Sequence, residues 1–103
     1  MEKFWKSIGA SEAKEVLKQK SHAGDFCILD VRTEKEFLSG AIPGAINLDF
    51  YAPDFAKELD RLDKNKTYLV YCRSGNRSKS ALAIMKQLGF EFIYELDGGY
   101  ISL

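Results

Sequence analysis

Two cysteines, two prolines, one histidine and one tryptophan are all that this chain of 103 residues holds of those types. So few cysteines exclude a disulfide scaffold, and Cys27 and Cys72 must each be explained singly. With His22 the sole histidine, no paired set of four zinc ligands can be assembled, and no metal or organic cofactor is expected. Net charge is missing too: fifteen basic residues balance fifteen acidic ones. That balance speaks against a broad nucleic-acid footprint or a membrane-surface anchor, yet permits a local positive site. No apolar run is long enough to span a bilayer. The opening "MEKFWKSIGA" lacks the hydrophobic core of a secretion signal, so a cytoplasmic monomer is expected, with export of a longer precursor left open.

What is present suits one small globular domain over residues 1–103. Apolar residues make up 46% and charged residues 29%, the balance of a chain that can bury one core and stay soluble. No repeat or linker divides it. "KFWKSI" reads as a first strand. "EAKEVLKQK" reads as a helix capped by Ser11, with Ala13, Val16 and Leu17 on one face. "FCILDV" is a continuous apolar run suited to a strand covered on both faces. "TEKEFLSG" predicts a short helix capped by Thr33 and ended near Gly40. "AIPGAINL" is a turn entering a short extended segment. Pro53 opens a helix whose inner face is Phe55, Leu59 and Leu62. "TYLVYC" is a second buried strand. The spacing of Ala81, Ile84, Met85 and Leu88 predicts a helix from about Ser78 to Leu88, ended by Gly89. "FIYEL" and the turn "DGGY" close the chain. Strands alternating with helices imply an α/β fold, a mainly parallel central sheet with helices on both faces. Ligands of such sheets bind outside the carboxyl ends of the strands. Cys72, the pair Asp30 and Arg32, and "DGGY" all fall on that rim.

The segment "CRSGNRS", residues 72–78, carries the chemistry. A cysteine reacts as its thiolate, and an unperturbed thiol has a pKa of about 8.5. The positive end of the following helix and the charges of Arg73 and Arg77 act to lower it. Arg73, Ser74, Gly75, Asn76 and Arg77 lie between Cys72 and Ser78, and can curl with their backbone N–H groups inward as an anion-binding nest. Cys72 is therefore the candidate nucleophile, and Arg73 through Ser78 are the candidate substrate-binding residues. Arg77, at the loop end, reads as an anion contact. Arg73 reads equally as a contact or as solvated.

Two chemistries use such a cup. Cysteine phosphatases need five residues between cysteine and arginine to surround a tetrahedral phosphoryl group. Here four residues separate Cys72 from Arg77, and position 78 is serine. The smaller cup suits the outer sulfur of a persulfide, Cys72–S–S⁻, better than a phosphate.

"CRSGNRS" resembles the active-site loop of the rhodanese family, the thiosulfate sulfurtransferases. "ILDVRTEKEFLSGAIPGAINL" is similar to a second hallmark of that family, a strand ending in Asp-Val-Arg followed by a Gly-x-Ile-Pro-Gly-Ala turn. "YELDGGY" is similar to its terminal Leu-x-Gly-Gly motif. The resemblance covers nearly the whole chain in order. It implies a rhodanese-like fold and sulfur transfer through Cys72, from thiosulfate or a similar small anion to a thiol or protein acceptor. It also implies that Asp30 and Arg32 brace the site rather than take part in the chemistry. A non-catalytic rhodanese-like binding module is the alternative, followed by a cysteine phosphatase or arsenate reductase of related fold. Two departures stand out. Ala41 occupies a place where the family often has histidine, and the chain ends at Leu103, short of the family's tryptophan and last helical segment. Elsewhere the readings are plain: Cys27 packs in a strand, His22 lies idle in a polar turn, and Phe50, Tyr51 and Phe55 are core candidates. Tyr51 is the one that also suits a pocket border.

Overall fold

The computed structural model describes residues 2–103. Five strands form one parallel sheet: β1 (Phe4–Ile8), β2 (Phe26–Asp30), β3 (Ile46–Asn47), β4 (Thr67–Tyr71) and β5 (Phe92–Leu96), in the spatial order β1-β5-β4-β2-β3. The helices between them are α1 (Ala10–Lys20), α2 (Glu34–Leu38), α3 (Phe55–Asp60) and α4 (Asn76–Gln87), and a 3-10 turn, Tyr100–Ser102, ends the chain.

The central strands are apolar on both faces because both are covered. One core cluster joins Leu29, Val31, Tyr68, Val70 and Ile93 of the sheet layer to Phe55 and Leu59 of α3 and Ala81 and Met85 of α4. The opposite cluster joins Ile8, Ile28, Leu69, Tyr71 and Leu96 to Ala13 and Val16 of α1 and to Ile42. Leu29, Leu69, Val70 and Ile93 are fully buried, each stabilising the fold by about 1.5–3 kcal/mol. The sheet and its two helical faces thus match the fold class read from the alternation of strands and helices.

Local boundaries differ from the sequence reading in three places. Helix α1 starts two residues earlier than a Ser11 cap allows: Gly9 is the N-cap, and its carbonyl accepts from the Ala13 N–H at 2.9 Å. Pro53 lies in a turn, and α3 begins at Phe55 after Asp54. Helix α4 begins at Asn76, so the second half of "CRSGNRS" is already its first turn. The cap of α2 is as read. The Thr33 hydroxyl accepts from the Glu36 N–H at 3.2 Å, and the Glu36 carboxylate accepts from the Thr33 N–H at 3.1 Å, a reciprocal capping box. No residue of α2 is buried, so this helix lies on the rim rather than on a sheet face.

The candidate active site at the carboxyl rim

β4 lies between β5 and β2, so the residue after it, Cys72, comes to the middle of the rim. Cys72 is 1% exposed. Its Sγ accepts the Gly75 N–H at 3.0 Å and lies 3.4 Å from the Ser78 Oγ. Burial is the largest single influence on this thiol and opposes its ionisation. The Ser78 hydroxyl and the backbone N–H groups of Ser78, Gly75 and Ser74 together outweigh it and hold the thiol below its ordinary value. The donors that act on the sulfur therefore come from the loop backbone and the first turn of α4.

Two glycines make that geometry possible. Gly75 caps α4 with φ of 111°, a conformation that L side chains rarely adopt. Gly99 has φ of 69°, and a side chain there would run into the Arg73 carbonyl and the Ser74 nitrogen. The "DGGY" turn is thus pressed against the back of the cysteine loop. The 3-10 turn secures the contact: the Tyr100 N–H donates to the Cys72 carbonyl at 2.8 Å and the Ile101 N–H to the Arg73 carbonyl at 3.1 Å.

The other residues singled out by sequence fall in distinct places. Gly75 and Ser78 are buried in the cup, whereas Arg73, Ser74 and Asn76 have exposed side chains. Arg77, expected from the sequence as an anion contact, is paired with a carboxylate. Its guanidinium donates to both carboxylate oxygens of Glu36, at 2.8 and 3.0 Å, and stands 5.5 Å from the centre of the Tyr51 ring. The Arg77 bond, opposed by partial burial and aided by the Thr33 cap, draws the Glu36 carboxyl down to about 2. Arg77 therefore ties α2 to α4 beside the cup. Tyr51 is exposed next to Arg77, not packed in the core.

Asp30 and Arg32 are buried together after β2. The Arg32 Nε and Nη2 donate to Asp30 Oδ2 at 3.0 and 2.7 Å, and Nη2 also donates to the Gly40 carbonyl. The Arg32 guanidinium faces the rings of Tyr71 and Tyr100 at 5.5 and 4.5 Å from their centres. Asn47 donates to the Asp30 and Arg32 carbonyls, locking β3 to the same point. Cys27 is half-buried against the α3/α4 core, and burial, partly offset by Lys66, pushes its thiol up. No cluster of three or more metal-ligating side chains occurs among the described residues. No described helix is long and apolar enough to cross a membrane.

Sequence reasoning missed Glu36 as the partner of Arg77, and it missed Glu95. The Glu95 carboxylate is fully buried and accepts the Ser78 hydroxyl at 2.5 Å. Its signal was visible as the one charged residue within the apolar strand "FIYEL".

Comparison with known proteins places the chain in a family. The family model described as the rhodanese-like domain matches residues 10–102. The thiosulfate sulfurtransferase GlpE of Pseudomonas syringae pv. syringae is 40% identical over 74 residues, covering 71% of this chain and 67% of the relative. The tRNA uridine(34) hydroxylase of Cytophaga hutchinsonii is 38% identical over 82 residues, covering 76% of this chain and 26% of the relative. The chain thus spans only about a quarter to a third of the hydroxylases it matches. Among solved structures, a rhodanese-related protein from Thermoplasma volcanium superposes with a TM-score of 0.76 at 32% identity, covering 92% of this chain and 86% of the other.

Proposed function

Because the chain belongs to the rhodanese-like domain family, we propose that it is a sulfurtransferase whose Cys72 carries the sulfur between donor and acceptor. The observation that carries this reading is a buried sulfur at the start of α4 that accepts the Gly75 N–H and lies 3.4 Å from the Ser78 oxygen. The thiolate of Cys72 attacks the outer sulfur of thiosulfate. The S–S bond of the donor breaks, and sulfite leaves with the electron pair of that bond. The enzyme then holds Cys72–S–S⁻, whose charge falls among the loop N–H donors and the helix end. A thiolate acceptor attacks the outer sulfur next, and Cys72 departs again as thiolate. Thiosulfate is the donor in this scheme, supported by its fit to a small, anion-binding cup and by the name of the GlpE relative. A thiol, free or on a protein, is the acceptor.

Mass spectrometry of the intact protein after thiosulfate treatment tests the proposal. Wild type and Cys27→Ser gain one sulfur atom, whereas Cys72→Ser gains none and keeps the wild-type melting temperature. Absence of the adduct in folded wild type would make the domain a binding module instead. Loss of the adduct in folded Cys27→Ser would indicate a mechanism that needs both cysteines.

A further inference from the structure

A buried carboxylate is costly unless it is fully bonded, and Glu95 is 0% exposed. It sits near the end of β5, in register with Ser7 of β1 and Val70 of β4, beneath the first turn of α4. Oε1 accepts the Ser7 hydroxyl at 2.5 Å and lies 3.5 Å from Lys79 Nζ; Oε2 accepts the Ser78 hydroxyl at 2.5 Å. The persulfide scheme makes no use of this group. Yet Ser78 joins it directly to the reactive sulfur.

The Ser78 hydroxyl has a single proton. Three acceptors surround it: Glu95 Oε2 at 2.5 Å, the Gly75 carbonyl at 3.1 Å and Cys72 Sγ at 3.4 Å. While Glu95 is ionised, the short bond keeps that proton on the carboxylate side, and the Ser78 oxygen turns its lone pairs towards Cys72. This suits an S–H donor. A thiolate or persulfide is stabilised by Ser78 only when the hydroxyl proton points at the sulfur, an arrangement open to it once Glu95 is protonated, and an ionised Glu95 repels a second anion at the same helix end.

We propose, resting on the sulfurtransferase reading, that Glu95 is a positioning residue that takes the Cys72 proton through Ser78 and holds it while the sulfur is anionic. The step balances without any co-reactant. Cys72–SH gives its proton to the Ser78 oxygen, Ser78 passes its own proton to Glu95 Oε2, and Cys72–S⁻ and Glu95–COOH result. The direction of both hydrogen bonds reverses, so the Ser78 O–H now points at the sulfur. One negative charge stays in the pocket throughout, first on carbon-bound oxygen, then on sulfur. The charged and titratable groups facing Glu95 are Lys79 of α4, Asp97 beyond β5, which holds Lys79 Nζ at 2.7 Å, and Cys72 itself; β1 contributes only the neutral Ser7.

The test has two arms on the full chain. In the sulfur-free protein, the Cys72 thiolate is titrated by its ultraviolet absorbance in a Cys27→Ser background. Glu95→Gln removes the competing anion without changing side-chain shape, so the Cys72 titration moves to lower pH by about one unit, tenfold in acidity. In a Ser78→Ala background the same change moves it by less than half as much, because the bridge is gone. An unshifted titration in Glu95→Gln, or an equal shift with and without Ser78, overturns the relay. The second arm needs no substitution at Glu95. Carboxyl-carbon NMR of wild type at neutral pH, before and after a persulfide load verified by mass, shows Glu95 passing from ionised to protonated. A Glu95 that stays ionised in the loaded protein overturns the proposal. Failure to load at all refutes the sulfurtransferase reading, and the titration arm still decides the coupling of Cys72 to Glu95.

Discussion

Two loops leave neighbouring parallel strands at the same rim and do opposite things with their charge. After β2, Asp30 and Arg32 turn inward and satisfy each other, and Arg32 spends its remaining donor capacity on the Gly40 carbonyl and two tyrosine rings. After β4, the loop keeps its side-chain charges on the outside, with Arg77 held by Glu36, and turns backbone N–H groups inward onto one sulfur. The first loop is a closed brace. The second is a cup with its donors aimed at an atom that can carry charge. The buried arginine here sits beside its carboxylate, whereas the cysteine loop keeps Arg73 and Arg77 outside its cup.

The comparison can be broken from either side. The largest effect expected is on the brace. Asp30→Ala leaves Arg32 buried without its carboxylate and lowers stability by about 3–5 kcal/mol, measured by urea unfolding. A loss under about 1 kcal/mol would mean that Arg32 finds water or another partner readily, so that the loop is not closed.

Next in size is a change to the cup. One glycine inserted between Asn76 and Arg77 moves the N–H donors away from convergence on the sulfur. Thiosulfate-dependent transfer then falls about a hundredfold, the scale of losing one aligned donor, in a variant shown by circular dichroism to be folded. Unchanged turnover would show that loop size does not separate sulfur transfer from phosphoryl chemistry in this fold.

The smallest effect lies where the two loops meet, at Glu36. Glutamine retains the α2 capping box but not the charge, so Glu36→Gln isolates the Arg77 pair, worth about 1 kcal/mol at neutral pH. The Glu36 carboxyl is depressed to about 2 from an ordinary 4.5. Its contribution is therefore complete above about pH 4.5 and is lost as pH falls towards 2. Denaturant melts of both proteins across that window should converge on the acid side, and a constant difference would assign the effect of Glu36 to shape rather than charge.

Particular residues show how much of this was legible in one dimension. The apolar runs "FCILDV" and "TYLVYC" announced two strands covered on both faces, and the clusters on either side of the sheet bear that out. The stripe Ala81, Ile84, Met85 and Leu88 announced α4, but its start was misplaced by two residues. Apolar periodicity begins only where the helix meets the core, and Asn76 and Arg77 enter the helix before it does. Asp30 and Arg32, two residues apart, could be read as a pair because their contact is local.

The contacts that set the cup's behaviour are not local. Arg77 and Glu36 lie 41 residues apart, and Ser78 and Glu95 lie 17 apart. By itself the sequence determined the strand and helix types, the position of Cys72 at a strand end and the number of residues in its loop, because these follow from periodicity, turn chemistry and counting. Only the tertiary structure decided which way Arg77 faces and which carboxylate shares a hydroxyl with the sulfur. Arg77 has a long side chain that can swing towards the cup or away from it. The single Ser78 proton goes to whichever acceptor the packed sheet brings nearest, and that acceptor stands on another strand.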